Sequence, residues 1–193
     1  MDNNHYLKYV IPHRIISNAV LIESIKIYAQ CIAYDKPLPA RLSVEGIVTI
    51  EGGAFSLLNP IIESGLLNIR CIAEFLGFKR NAKDGDLIAR GKRHDDVVIE
   101  CFHFKGVPLS KVTPEDFCSL SEEYPPEGVR EATCHTLEMA DKAIAHLTEN
   151  RSVISTDLRQ VAVAAKCVEA AVMKFLYDAM ELERPNNGLR IVE

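Results

Sequence analysis

Apolar positions recur at helical spacing along most of the chain. In Pro12–Tyr34 (PHRIISNAVLIESIKIYAQCIAY), Leu21, Ile25, Tyr28 and Ile32 share one helical face, while Glu23, Lys26 and Gln30 point elsewhere. Pro12 suits a first helical turn, and Asp35-Lys36-Pro37-Leu38-Pro39 is a stop. A second helix is predicted from Pro60 to about Phe78. Ile62, Leu66, Ile69, Ala73 and Leu76 form one face, and Ile61, Gly65, Ile72 and Phe75 form another beside it. Only the stripe Glu63, Leu67, Arg70, Glu74 carries charge, so this helix is expected to be the buried spine of the fold.

Two further helices follow. One runs from about Glu127 to Asn150 with Leu137, Ala140, Ile144 and Leu147 on a face, after a short helix started by Thr113-Pro114-Glu115-Asp116 and ended by Pro125-Pro126. The other is capped by Thr156-Asp157 and runs to about Glu183. Its Val161, Ala165, Val168, Val172, Phe175, Ala179 and Leu182 make a seven-residue seam of small and apolar residues suited to close helix pairing.

Between these helices the pattern weakens. Gly46–Ile50 is β-rich, and Glu51-Gly52-Gly53 could turn it back along Ala54–Leu58 as a hairpin; a glycine-weakened helix is the open alternative over 46–58. Lys79–Asp96 reads as an exposed loop, and Val97–Phe104 as a short strand or a helical turn. The expected fold is all-α: an up-and-down bundle of four main helices plus short ones, one domain over 1–183, with 184–193 a loose tail. Self-association as a homodimer is expected through the Ala-rich last helix or the spine helix.

Composition narrows the class. The 193 residues are 48% hydrophobic and 25% charged, which excludes a disordered or fibrous chain. A net charge of −5 argues against a surface that grips nucleic acid throughout. No uncharged apolar run approaches the ~18 residues of a membrane span, and the N-terminus lacks the order of a secretory signal, so a cytoplasmic protein without membrane partners is expected. The six cysteines (31, 71, 101, 118, 134 and 167) show no CxxC pairing and read as free buried thiols. No P-loop, GxGxxG, HExxH or GxSxG occurs, nor Glu-x-x-His pairs for a di-metal site, and neither a metal nor a cofactor is expected.

Three constellations could carry chemistry. Glu63, Arg70 and Glu74 lie on one stripe of an otherwise apolar helix, with Arg70 and Glu74 spaced to pair. That is either an internal ion network or a polar site in which Arg70 anchors a phosphate or carboxylate. On the long helix, His135 and His146 stand roughly 16 Å apart, too far to share a metal, and His146 lies one turn before Arg151. Finally, Arg130 and His135 are separated by four residues. In one straight helix their side chains point about 140° apart, so convergence needs a helix start or a partner chain.

Arg130-Glu131-Ala132-Thr133-Cys134-His135 resembles the R-x4-H motif of the HEPN family, all-helical dimers that include RNA-cleaving toxins. The resemblance implies phosphate stabilisation by Arg130 and proton transfer by His135 in metal-independent RNA cleavage. A more extended resemblance is carried by Glu63–Leu76, similar to the E-x-x-L-L-H-x-R-x-L-x-D-F-L helix of a loose group of uncharacterised bacterial all-helical proteins. Asp95-Asp96-Val97-Val98 and His146–Arg151 resemble that group's DDV and H-L-x-x-x-R segments. This implies an all-helical fold in which Arg70, Asp95, Asp96, His146 and Arg151 converge. The chain departs from the group at Asn68, where histidine stands; an amide can hydrogen-bond but cannot exchange protons near neutral pH.

The leading expectation is therefore a non-enzymatic module that binds a small ligand or a protein through a polar cluster of Arg70, Glu63, Glu74, Asp95, Asp96, His146 and Arg151. The alternative is a HEPN-like endoribonuclease using Arg130 and His135, the one reading with a nucleic-acid partner.

Overall fold

Among the described residues four long helices carry the core, and the segments that join them include short antiparallel strand pairs. The structure, a computed structural model, describes residues 3–33, 38–44, 47–141 and 157–185. The chain is mostly helical. Its elements are α1 (Asn3–Ile32), β1 (Pro39–Val44), β2 (Ile47–Gly53), α2 (Ala54–Leu76), β3 (Phe78–Arg80), β4 (Leu87–Ala89), β5 (His103–Phe104), β6 (Val107–Pro108), α3 (Pro114–Cys118), α4 (Pro126–Met139) and α5 (Leu158–Val172). The sheets are three two-stranded antiparallel pairs among the described residues: β1 with β2, β3 with β4, and β5 with β6.

Helix α1 begins nine residues before Pro12. The turn ahead of that proline, Tyr6–Val10, is π-wound, with the Ile11 N–H donating to the Tyr6 carbonyl. Pro12 has no N–H and its ring crowds the preceding turn, and the wider winding accommodates it inside the helix. The buried face runs through Ile11, Ile15, Asn18, Leu21 and Ile25, whereas Ile32, expected on that face, is 55% exposed. Among the described residues α1 alone is long and apolar enough to cross a membrane, with mean hydropathy 1.3 in its most apolar window, of which 33% is buried.

The region 47–58 is first strand, then helix. β2 pairs backwards with β1, Leu42 opposite Ile50, and α2 begins directly at Ala54, so Pro60 lies inside the helix rather than at its start. The spine assignment holds: Ile62, Leu66, Ile69, Ala73 and Leu76 are all buried, the leucines and isoleucines contributing about 1.5–3 kcal/mol each. Helix α2 packs against α1, α4 and α5. Gly65 permits the closest approach, because a Cβ there would lie 2.7 Å from both methyls of Leu21.

Lys79–Asp96, expected as a patternless loop, contains the β3–β4 hairpin, anchored by buried Phe78 and Leu87. Three-residue strands are too short to display an alternation. The short helix α3 is capped as expected, Thr113 Oγ1 accepting from the Asp116 N–H at 3.0 Å, but it ends at Cys118, and Pro126 opens α4.

The seam of α5 is spent within the chain: Val161, Ala165 and Val168 are wholly buried, and the helix packs on α4, α1 and α2. After Val172 the winding widens to π over Met173–Asp178, which moves the buried face to Leu176 and Tyr177 and leaves Ala179 exposed and Leu182 39% exposed. Arg184, placed in the tail by the sequence, is tied to Asp178 through Nε and Nη2 at 2.8 and 2.5 Å. Cys31, Cys118 and Cys167 are buried, Cys101 and Cys134 partly so, and Cys71 is exposed, against the expectation of six buried thiols.

Candidate functional site

The C-terminal end of α2 organises a charged cavity. Gly77 ends the helix in the left-handed region (φ +109°), its N–H donating to the Ala73 carbonyl. A side chain is excluded there by that φ and by Lys111. The reversal lets β3 start at the next residue, and pairing with β4 returns the chain so that the Arg90 N–H donates to the Gly77 carbonyl at 2.8 Å. Lys111 Nζ donates to the Arg90 carbonyl at 2.9 Å. The Arg90 backbone is thereby held over the last turn of α2.

The side chains then form a chain of ion pairs. Arg70 Nε meets Glu74 Oε1 at 3.1 Å, and its Nη1 meets Asp141 Oδ1 at 2.8 Å. Arg90 Nη2 meets Glu74 Oε2 at 3.2 Å, and its Nη1 meets Asp96 Oδ2 at 2.5 Å. Asp96 also accepts from the Arg93 N–H at 2.8 Å. On the other wall Arg80 Nη2 meets Glu138 Oε2 at 3.1 Å, while the buried Arg80 Nε has no hydrogen-bond partner among the described residues. Burial works against the Arg70 charge, but Glu74 and Asp141 outweigh it and hold its pKa above the ordinary value. The bond to Asp96 does the same for Arg90, over opposing burial and with help from Glu74. In return Arg90, then the Arg93 N–H, hold the Asp96 carboxyl below the usual range.

These residues surround a cavity of about 260 Å³ lined by five cations, Arg70, Lys79, Arg80, Arg90 and Arg93, and two carboxylates, Glu74 and Asp141. Neither Lys79 nor Arg93 forms an ion pair among the described residues, although the Arg93 charge adds weakly to the field on Asp96. In a chain of net charge −5 this is a local reversal of sign, and it provides forked and point-like donors suited to phosphate or carboxylate oxygens.

Of the expected cluster, Arg70, Glu74 and Asp96 converge here. Glu63 does not: it lies about 10.5 Å back along α2 and joins none of these pairs. Asp95 is exposed and outside the network. His146 and Arg151 lie outside the described residues. No sequence motif marks Arg80, Arg90, Glu138 or Asp141 as site residues. The only signal for the arginines was the density of Lys and Arg in 79–93, since charge alone does not show which way a loop folds.

Arg130 and His135 sit on the one continuous helix α4. Arg130 is committed to Asp86 and Glu115, at 2.8 and 3.2 Å. His135 Nε2 is buried with no hydrogen-bond partner among the described residues. Among the described residues no three His, Cys, Asp or Glu side chains are grouped to hold a metal ion. Compared with protein-family models, with curated proteins and with solved structures, the chain matches none, so function has to be read from the side chains themselves.

Proposed function

We propose that the cavity between α2, β3 and the 90–96 segment binds a small ligand bearing a phosphate or carboxylate group, and that the protein is a non-enzymatic binding module. The carrying observation is the excess of cations on the cavity wall, with Lys79 and Arg93 outside every ion pair among the described residues. The ion pairs of Arg70 and Arg90 preorganise that wall, so binding requires little reordering of side chains. The four long helices fit an up-and-down bundle, here decorated by hairpins, with the cavity beside the C-terminal turns of α2 and α4. An RNA-cleaving reading would need Arg130 and His135 to converge, and both counter-ions of Arg130 stand against it.

Titration calorimetry with inorganic phosphate and with citrate tests the proposal. Saturable binding is expected, weakening as salt is raised. The Lys79→Gln/Arg93→Gln double variant, which leaves every ion pair of the network in place, should bind at least tenfold more weakly. Absence of binding by wild type, or undiminished binding by the double variant, overturns the proposal.

A further inference from the structure

Helix α2 has a second cavity on its other side. Its volume is about 210 Å³, roughly seven water-sized volumes, and its wall is predominantly apolar. Tyr6, Val10 and Ile15 of α1, Ile72 and Phe75 of α2, and Val172 of α5 contribute to it, with Arg14 and Cys71 on its lining. Two π-wound stretches meet next to it: Tyr6–Val10 of α1 and Met173–Asp178 after α5, joined by the Tyr177 hydroxyl donating to the Leu7 carbonyl at 3.1 Å. Such windings displace side chains from regular helical register and recur at functional sites.

Arg14 is the distinctive residue. Among the described residues the other partly buried arginines, Arg70, Arg80, Arg90 and Arg130, each have a carboxylate partner. Arg14 has none; its Nη1 donates to the amide oxygen of Asn68, which is 3% exposed. A neutral amide orients the guanidinium without neutralising it, so a positive charge is held at an apolar cavity with donors to spare.

We propose that this cavity binds a medium-chain monocarboxylate, its alkyl body lying among Ile15, Ile72, Phe75 and Val172 and its carboxylate on Arg14. Apolar walls select the chain, and the unneutralised guanidinium selects an anionic head over a neutral or cationic one. The volume fits a body of roughly six to eight carbons. At about fourfold in affinity per buried methylene, butyrate should bind much more weakly than octanoate. The site is independent of the phosphate cavity.

The test pairs calorimetry with alkylation of Cys71. Sodium octanoate should bind wild type saturably at one site and slow iodoacetamide labelling of Cys71 severalfold. Octyltrimethylammonium, with the same chain and the opposite head, should do neither, a comparison that needs no variant. Arg14→Gln should weaken octanoate at least tenfold while leaving 1-octanol unchanged, and Arg14→Lys should recover part of the loss. Inorganic phosphate should not compete. No saturable octanoate binding, equal protection by octyltrimethylammonium, or undiminished octanoate binding by a folded Arg14→Gln variant overturns the proposal.

Discussion

Arg90 Nη2 lies 3.2 Å from Glu74 Oε2, so an arginine from the segment after β4 closes onto the helix that already carries Arg70. Glu74 is thereby shared by two guanidiniums, and the Arg90 side chain is only 10% exposed. Replacing Arg90 by Met removes the link among Glu74, Asp96 and the 90–96 segment while keeping most of the side chain's bulk. A loss of about 1–3 kcal/mol is expected, because Glu74 keeps Arg70 but Asp96 loses its guanidinium. Urea denaturation measures it. In a cycle with Glu74→Gln the two losses should not add.

The same link sets an acid limit. The Asp96 carboxyl is held below its ordinary value of 3.8 by the hydrogen bond from Arg90 and then by the Arg93 N–H. The unfolded chain therefore takes up this proton first as pH falls. The stabilisation is complete above the ordinary value and is lost as pH drops through the folded one. Asp96→Asn should flatten this part of the stability curve below about pH 4 and lower stability at neutral pH, read by thermal melts from pH 7 to pH 3.

Asn18 is fully buried on α1, and neither its Nδ2 nor its Oδ1 has a hydrogen-bond partner among the described residues. Its desolvation is uncompensated, so Asn18→Leu should stabilise the fold by about 1–3 kcal/mol. A raised urea midpoint with unchanged slope is the expected result; a fall would show that this position requires an amide.

Gly65 and Leu21 set the spacing of α1 and α2. With a Cβ 2.7 Å from the Leu21 methyls, Gly65→Ala should cost about 1–3 kcal/mol by overpacking. Leu21→Ala alone should cost about 2–5 kcal/mol through the cavity it leaves. The double variant should cost less than the two together, since the new methyl occupies space vacated by the leucine. Additive losses would show that the contact does not limit helix approach.

Period and punctuation in the sequence determined the helical character of the chain, the buried face of α2, the Thr113 cap and the pairing of Arg70 with Glu74. Each depends on neighbours within about one or two helical turns, where backbone geometry relates spacing directly to direction. Tertiary structure decided what proximity in sequence cannot specify. The winding after Val172 shifts the face by a fraction of a turn, so Ala179 emerges and Leu176 turns inward, and Ile32 lies exposed at the C-terminal end of α1. Strands of three residues show no alternation, so a charged stretch read as loop became the hairpin that returns Arg90 to α2. Asp141 reaches Arg70, and Asn68 reaches Arg14, across 71 and 54 positions of chain. Which cations are neutralised and which remain available to a ligand depends on those long-range pairings, and only the packed chain establishes them.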